Sequence, residues 1–290
     1  MANTAKIRIV TDSSSDIPHD LAAKYAIEIV PMYVGYDGNL LKDLFEIKPE
    51  EVYAALEAGK KVNTSSPSAG DFIFAFKKLI EQENAQKIYC ITLSSKLSAA
   101  YSAANIAKKS FPPDMIKIFD SKTSTMCLGL IALQAAEAAN KNFSYFEIEK
   151  LISELITKNK FIATLENLEY VFKGGRAVFL SKFLSKAIKF IPILNIGRDG
   201  KVKLRKFVKN KEKAILEIYS QAVAAAKLNN NNIIGIFYGS DITPAKELEK
   251  LLRQNTDISI SDIIINKITT VISAHTGPGI WGVAVSPKLV

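Results

Sequence analysis

Short apolar runs alternate with amphipathic stretches along the first half of the chain. Runs rich in β-branched and aromatic residues predict strands over 6–10, 27–34, 87–93 and 116–119. Apolar positions at helical spacing predict helices over 49–58, 71–82, 99–109 and 126–140. Strands that alternate with helices favour an α/β fold, in which helices flank both faces of a mainly parallel sheet.

The pattern changes beyond residue 160, where turns interrupt a series of strands. Strands are predicted over 193–196, 201–208, 233–238, 262–268 and 282–285, with helices over 211–228 and 244–254. This mixture is typical of an α+β domain. We therefore predict an N-terminal α/β domain over 1–160 and a C-terminal α+β domain over 161–290.

Hydroxyl side chains follow the predicted strands of the N-terminal domain. Ligands of parallel sheets bind beyond the carboxyl ends of the strands, so these side chains are candidates for a binding site. They are Ser13, Ser14, Thr64, Ser65, Ser94, Ser95, Ser121 and Thr123. Because few carboxylates accompany them, we expect a rim of neutral hydroxyls.

Composition and charge narrow the class of protein. The chain has 290 residues, of which 48% are hydrophobic and 23% are charged, as in globular domains. A formal net charge of +9 favours an anionic partner, but no nucleic-acid-binding signature accompanies it, so nucleic acid is not expected. No window reaches the about 18 apolar residues of a membrane span, and no signal-peptide pattern is present, so we expect a cytoplasmic protein. Cys90 and Cys127 lack the spacing of a metal site or a disulfide framework.

His275 is the histidine with the stronger claim to a function. It precedes Gly277, Pro278 and Gly279, and a rigid turn there would fix the imidazole beside backbone N–H groups. On these residues alone, a binding role and a structural role are equally supported. Residues 277–282 also satisfy G-x-G-x-x-G, but they lead into a predicted strand, so a dinucleotide site is rejected.

Three basic segments each allow two interpretations. Arg176 follows two glycines and either clamps a carboxylate or phosphate or belongs to a solvated turn. Residues 179–191 form an amphipathic helix pattern, which either packs on the core or covers a lipid and meets an anionic membrane. Residues 201–206 alternate as a strand with basic side chains on one face, useful for steering or for protecting a sheet edge.

Several segments together resemble the DegV family, which includes the fatty acid kinase B subunits. They include Thr-Asp-Ser-Ser-Ser-Asp at 11–16, Thr-Ser-Ser-Pro-Ser at 64–68, Lys-Gly-Gly-Arg at 173–176 and His-Thr-Gly-Pro-Gly at 275–279. Further matches lie at 94–98, 120–124 and 192–194, and all follow the order of the family. The resemblance spans nearly the whole chain and implies the two predicted domains, with a fatty acid enclosed between them.

The resemblance also implies a function. The protein would bind a long-chain fatty acid and present its carboxylate to a separate ATP-dependent fatty acid kinase, then carry the acyl phosphate toward phospholipid synthesis. It would not be an enzyme itself and would need no metal or other cofactor. By resemblance, Thr64, Ser65, Ser94, Ser95 and His275 bind the carboxylate. Arg176 and Arg205 face the phosphoryl group or the kinase, and an anionic membrane surface is a transient further partner at the cell periphery.

The chain departs from the family pattern in two places. Ala99 and Ala100 replace the usual Gly-Thr after Ser98, and Ile191 stands before Pro192 where the family often has lysine. These changes leave two alternatives open. One is a protein that stores or senses lipid without a kinase, and the other is an enzyme that hydrolyses or transfers an acyl group.

Overall fold

The computed structural model describes residues 6–166, 170–171 and 190–290. The strands of these residues are β1 (Ile7–Asp12), β2 (Glu28–Val30), β3 (Tyr33–Tyr36), β4 (Asn39–Lys42), β5 (Asn63–Ser65), β6 (Lys87–Thr92), β7 (Ile116–Asp120), β8 (Lys160–Leu165), β9 (Ile191–Ile196), β10 (Val202–Val208), β11 (Asn232–Tyr238), β12 (Ile260–Lys267) and β13 (Ile280–Pro287). The helices are α1 (His19–Lys24), α2 (Pro49–Glu57), α3 (Ala69–Glu83), α4 (Ala100–Ala107), α5 (Thr125–Asn140), α6 (Tyr145–Lys158), α7 (Lys211–Ala226), α8 (Thr243–Gln254) and α9 (Thr270–Thr276).

The first sheet is wholly parallel, in the strand order β2-β1-β6-β7. Helices α3 and α4 pack against β2, β6 and β7, and α5 packs against β1 and β6. Nearly every side chain of β6 is buried, as expected for a strand with helices on both sides. The predicted parallel α/β sheet is therefore confirmed.

The second sheet is mixed and has six strands in the order β10-β9-β8-β13-β11-β12. Side chains alternate between its two faces along β8. Ile162 packs with residues of α7 and α8, whereas Phe161 and Ala163 belong to the same apolar cluster as the first sheet. One face of the second sheet is thus turned toward the N-terminal half of the chain, and the candidate site lies on that face.

Helix α5 is shared by both sheets, because it contacts β1 and β6 of the first and β11 and β13 of the second. Thirteen of its 16 residues are buried, so no face of the helix is exposed to solvent. Two glycines allow this close approach. A Cβ at Gly235 of β11 would lie 2.8 Å from the Cβ of Met126, and one at Gly129 would lie 2.5 Å from the carbonyl oxygen of Ser15. The division into 1–160 and 161–290 therefore stays a proposal, with α5 joining both parts.

The predicted strand over 27–34 was wrong, since it comprises two strands in different sheets. Pro31 lies between β2 and β3 and lacks the N–H that a continuous ladder would need. Strand β2 joins the parallel sheet, and β3 is the centre of a small antiparallel sheet, β4-β3-β5. Residues 63–65, for which no strand was predicted, form its strand β5, which carries Thr64 toward the C-terminal half.

Two buried carboxylates hold the start of α9 against the N-terminal half. Asp16 accepts the backbone N–H of Thr269 at 2.9 Å, and Asp43 accepts the backbone N–H of Thr270 at 2.9 Å. The hydroxyl of Thr270 also donates to Asp43, whose other oxygen accepts from Ser13 at 2.5 Å. Because the first N–H groups of a helix have no partner within it, these bonds fix both the position and the direction of α9.

Asp12 is the third buried carboxylate at this edge of the first sheet. It accepts the backbone N–H of Leu93 at 2.7 Å and the hydroxyl of Ser14 at 2.5 Å. Burial raises the pKa of Asp12 to about 6 and raises the pKa of both Asp16 and Asp43. The expected rim of neutral hydroxyls was therefore wrong for three serines that bond to carboxylates: Ser13, Ser14 and Ser95 donate to Asp43, Asp12 and Asp120, respectively.

We expect Gly129→Ala to lower the free energy of unfolding by about 1–3 kcal/mol, since the added methyl group overlaps the backbone of residue 15. Gly70→Ala is the matched control, because Gly70 lies in α3 and a Cβ there comes no closer than 3.4 Å to Ser68. Urea unfolding of both variants measures the difference. Equal stability of the two variants would contradict the close approach of α5 to residue 15.

The raised pKa of Asp12 predicts a pH dependence of stability. Its ordinary value is 3.8, so between these two pKa values the folded chain binds more protons than the unfolded chain. The stabilisation is complete below the unfolded pKa and is lost as pH rises through about 6. From pH 5 to pH 7, we expect the free energy of unfolding to fall by about 1 kcal/mol through Asp12 alone, with Asp16 and Asp43 acting in the same direction.

Urea unfolding at a series of pH values measures this slope. Asp241 provides the control, because its bonds to Lys211 and Thr243 lower its pKa to about 2 and it stays ionised throughout the window. Asp241→Asn should therefore shift the curve without changing its slope. Stability that rises from pH 5 to pH 7 would contradict the prediction.

Candidate functional site

An apolar cavity lies between the second sheet and the N-terminal half of the chain. It encloses about 890 Å³ of empty space, including the part open to solvent. Its walls are mostly aliphatic and aromatic side chains from β8, β9, β10, β13 and α9, from the loops that follow β2 and β6, and from Val171 beyond β8. These are Met32, Leu93, Leu97, Phe161, Ala163, Leu165, Val171, Leu194, Ile196, Val202, Val271, Ile272 and Ile280.

The polar part of the wall contains Thr64 and His275, whose Oγ1 and Nε2 atoms are 2.7 Å apart. Thr64 is the middle residue of β5 and pairs with Val34 of β3. His275 lies in the last turn of α9, a helix that was not predicted from the sequence, and the turn expected after it lies at Pro278 and Gly279. The helix ends at Thr276, and the next residue, Gly277, adopts a φ of 68° while its N–H donates to the carbonyl oxygen of Ser273.

Two further contacts hold α9 in place. The buried hydroxyl of Ser273 donates to the phenol oxygen of Tyr53 at 3.0 Å. Burial raises the pKa of Tyr53 to about 12, so the phenol stays protonated. Neither Tyr53 nor Asp43 was predicted from the sequence, since each contacts α9 across more than 200 residues of chain. Local patterns carry no signal for such pairs.

Three serines extend the polar wall beyond Thr64. Ser65, Ser66 and Ser98 line the cavity, and the hydroxyls of Ser66 and Ser98 are 2.7 Å apart. The backbone N–H of Ala99 donates to the Ser66 hydroxyl, and the N–H of Ala100 donates to that of Ser98, each at 3.1 Å. Ala99 and Ala100, which depart from the family pattern, therefore orient the hydroxyls of Ser66 and Ser98 through their backbone N–H groups. Ser66 and Ser98 were not among the predicted site residues.

Ser94 and Ser95 are not brought to the cavity wall. The Ser94 hydroxyl donates to the carbonyl oxygen of Gly200 at 2.8 Å, and the Ser95 hydroxyl donates to Asp120 at 2.6 Å. The first bond joins the N-terminal half to the turn between β9 and β10, and the second fixes the loop after β6. Both side chains thus stabilise the loop that carries Ser98 without contacting the cavity.

Arg205 lies on β10, which is an edge strand of the second sheet, and lines a separate cleft rather than the apolar cavity. Lys122, Lys160 and Arg198 line the same cleft, and no ion pair involves any of these four cations within the described ranges. Lys206 is paired with Glu217 at 2.6 Å. Arg176 and most of the predicted helix over 179–191 lie outside the described residues, and Ile191 of that segment begins β9.

The arrangement suits a ligand with a long apolar part and a small polar head. Aliphatic walls favour the apolar part, and a few hydroxyls with one imidazole receive the head group. In the parts of the chain that the structure describes, no cluster of histidine, cysteine, aspartate and glutamate has the geometry of a metal site. Helices within the same ranges are too short or too polar to cross a membrane.

The chain is similar to proteins of one family over its whole length. The sequence model described as "Uncharacterised protein, DegV family" matches residues 6–288. A DegV domain-containing protein of Caldanaerobacter subterraneus subsp. tengcongensis is 31% identical, over 98% of this chain and 99% of the relative. One of Clostridium perfringens is 32% identical, over 96% of this chain and 98% of the relative.

Solved structures agree with the sequence comparison. A fatty-acid-binding DegV family protein of Thermus thermophilus has a TM-score of 0.92 at 26% identity, covering 97% of this chain and 99% of the other. A protein of Thermotoga maritima, described as revealing a fatty acid binding function, has a TM-score of 0.85 at 27% identity, covering 98% and 99%. Since the family model covers all but the ends of the sequence and the fold agrees throughout, this chain belongs to the DegV family.

Proposed function

We propose that the chain binds a long-chain fatty acid in the apolar cavity and presents its carboxylate to a separate ATP-dependent fatty acid kinase. One observation carries the proposal: an aliphatic cavity whose wall contains the Thr64–His275 pair. The two solved relatives described as fatty-acid-binding support the same ligand class.

The acyl chain supplies most of the binding free energy. Each buried CH₂ group contributes about 0.8 kcal/mol, so a long chain binds tightly to aliphatic walls. The lining side chains come from the second sheet, from β5, from α9 and from the loops that follow β2 and β6, so the ligand is enclosed by both halves of the chain. An acyl chain leaves such a cavity slowly, which suits a protein that carries its ligand to a partner.

The carboxylate needs hydrogen-bond donors at the polar wall, because a buried anion without donors is strongly disfavoured. Thr64 and Ser65 offer hydroxyls, and His275 offers an imidazole beside Thr64. Neutral donors of this kind leave the carboxylate able to attack a phosphoryl group. In this proposal Ser94 and Ser95 act indirectly, since their hydroxyls fix Gly200 and Asp120 around the site.

The kinase is proposed to meet the basic cleft that contains Arg205. Unpaired cations attract an acidic protein surface or a transferred phosphoryl group. The acyl phosphate, formed at the carboxylate while the kinase contacts this cleft, would remain on this chain and pass to phospholipid synthesis at an anionic membrane surface. Arg176 is proposed for the same role. The protein is thus a substrate-presenting subunit in the cytoplasm and at the membrane periphery, and the only small molecule it needs is the fatty acid.

We expect Thr64→Val and His275→Ala each to weaken palmitate binding about 10- to 100-fold, the range for one lost hydrogen bond to a charged group. Isothermal titration with palmitate after delipidation measures the affinity. His19→Ala is the control, since His19 is the other histidine and is exposed at the start of α1.

Wild-type affinity in both Thr64→Val and His275→Ala would refute the proposed carboxylate site. Failure of the wild-type chain to bind palmitate would refute the ligand class itself. Turnover of an acyl ester by the chain alone would favour the acyl hydrolase alternative, because a hydroxyl 2.7 Å from an imidazole is also the geometry of a nucleophile beside its base.

The variant Arg205→Glu distinguishes binding of the fatty acid from its presentation to the kinase. The side chain lies in the cleft and not in the cavity, so palmitate binding should stay within about 2-fold of wild type. Acyl phosphate formation with a fatty acid kinase and ATP should fall about 10-fold or more, because the change replaces attraction with repulsion. Arg253→Glu on α8 is the control, as Arg253 is exposed and lines neither space.

Two results would change the proposal for the kinase. Undiminished acyl phosphate formation by Arg205→Glu would exclude a role for this cleft. If wild-type protein binds palmitate but forms no acyl phosphate with any kinase preparation, the chain is better described as a lipid store or sensor.

A further inference from the structure

The N-terminus of α5 opens into the apolar cavity without a cap. Ser124 and Thr125 line the cavity, and the Ser124 side chain makes no capping hydrogen bond. The first N–H groups of a helix have no partner within it, and the helix dipole places partial positive charge there. Helix α5 has 16 residues, so this is the end of a long and well-ordered dipole.

The hydroxyl of Thr125 is a buried polar group without a partner. Only 2% of the residue is exposed, and its Oγ1 has no hydrogen-bond partner in the structure. The hydroxyls of Thr64 and Ser66 in the same wall are engaged, since Thr64 bonds to His275 and Ser66 bonds to Ser98. A buried hydroxyl that faces a cavity and lacks a partner in the protein is available to a ligand.

The backbone of Thr125 is held in an unfavourable conformation. Its φ is 53°, in the left-handed region that β-branched residues avoid. The surrounding turn is fixed by other bonds, because the carbonyl oxygen of Thr123 accepts from the N–H of Ser94 and Asp120 accepts from Ser95 and Lys122. Strained residues that their surroundings hold in place are common where a side chain must face a ligand.

Charged side chains are absent from the described part of the cavity wall. No lysine, arginine, aspartate or glutamate is among the described residues that line it. The end of a helix and a hydroxyl interact strongly with an anion in such surroundings, since apolar walls provide a low local dielectric.

We propose that the N-terminus of α5, with the hydroxyl of Thr125 and the free N–H groups behind Ser124, is a second anchor for the carboxylate of the bound ligand. This inference rests on the proposed fatty acid function and adds a contact from a second element of the cavity wall. Thr64 and His275 would meet one part of the head group, and α5 would meet the other. The carboxylate would then be gripped between the two halves of the chain.

Thr125→Val tests the anchor, because it removes the hydroxyl and keeps the shape of the side chain. The probes are palmitate and hexadecanol, which share the same chain but differ in charge. We expect palmitate binding to weaken about 10-fold or more, while hexadecanol binding changes much less, because hydrogen bonds to ionised groups are the stronger ones. Thr125→Ser retains the hydroxyl and should restore palmitate binding.

Thr11→Val is the matched control. Thr11 is also a buried threonine whose Oγ1 has no partner among the described residues, but it lies in β1 and lines neither the cavity nor the basic cleft. Its palmitate affinity should remain at the wild-type value. Circular dichroism checks the fold of each variant, and Thr125→Ala carries the same comparison if Thr125→Val does not fold.

The outcomes separate the two proposals. Wild-type palmitate affinity in Thr125→Val, or an equal loss for palmitate and hexadecanol, would overturn the second anchor and leave fatty acid binding intact. If the wild-type chain binds neither probe, the proposed ligand class is wrong, and the proposed anchor at the N-terminus of α5 is refuted as well.

Discussion

The position of His275 depends on two buried carboxylates far away in sequence. Asp16 and Asp43 accept consecutive backbone N–H groups at the start of α9, and the imidazole stands at the other end of this short helix. Seven residues are too few for a helix to be stable alone, so its direction comes from these bonds and from packing. Distance and orientation between the histidine and Thr64 are thus set by the junction of the two halves.

Charged side chains are treated differently at the junction and in the cavity. The junction buries Asp12, Asp16 and Asp43, and their hydrogen-bond donors offset the cost of burial only in part, since the pKa of each carboxyl is raised. The described lining of the cavity contains no lysine, arginine, aspartate or glutamate and offers hydroxyls and the dipole of α5 instead. Most of the formal charge of +9 is therefore carried outside the cavity, where it can act on partners at a distance. In the proposed function, the ligand and the kinase would contact separate surfaces.

Local pattern was sufficient for much of the fold and insufficient for the geometry of the site. The parallel sheet was predicted because its strands are short buried runs between well-marked helices, as at β6 and α3. The interruption of the predicted strand over 27–34 was missed, because it depends on a single feature, the missing N–H of Pro31. Helix α9 was missed because its seven residues are shorter than the windows in which helical spacing can be recognised. Thr64 and His275 were named together only through the resemblance, since contacts across 211 residues leave no local trace.

Helix α5 has a consequence for how the protein can be assembled and divided. Helix α5 is apolar on all sides and packs against both sheets. If one sheet were removed, the side of α5 that packs against it would be exposed to water. Neither half is then an autonomous folding unit, and the molecule should unfold in one cooperative step. Since α5 packs against both sheets, it also opposes a wide hinge motion between the two halves, and a ligand would enter through local openings of the cavity wall. A substitution that destabilises one half should therefore destabilise the other through the core that they share.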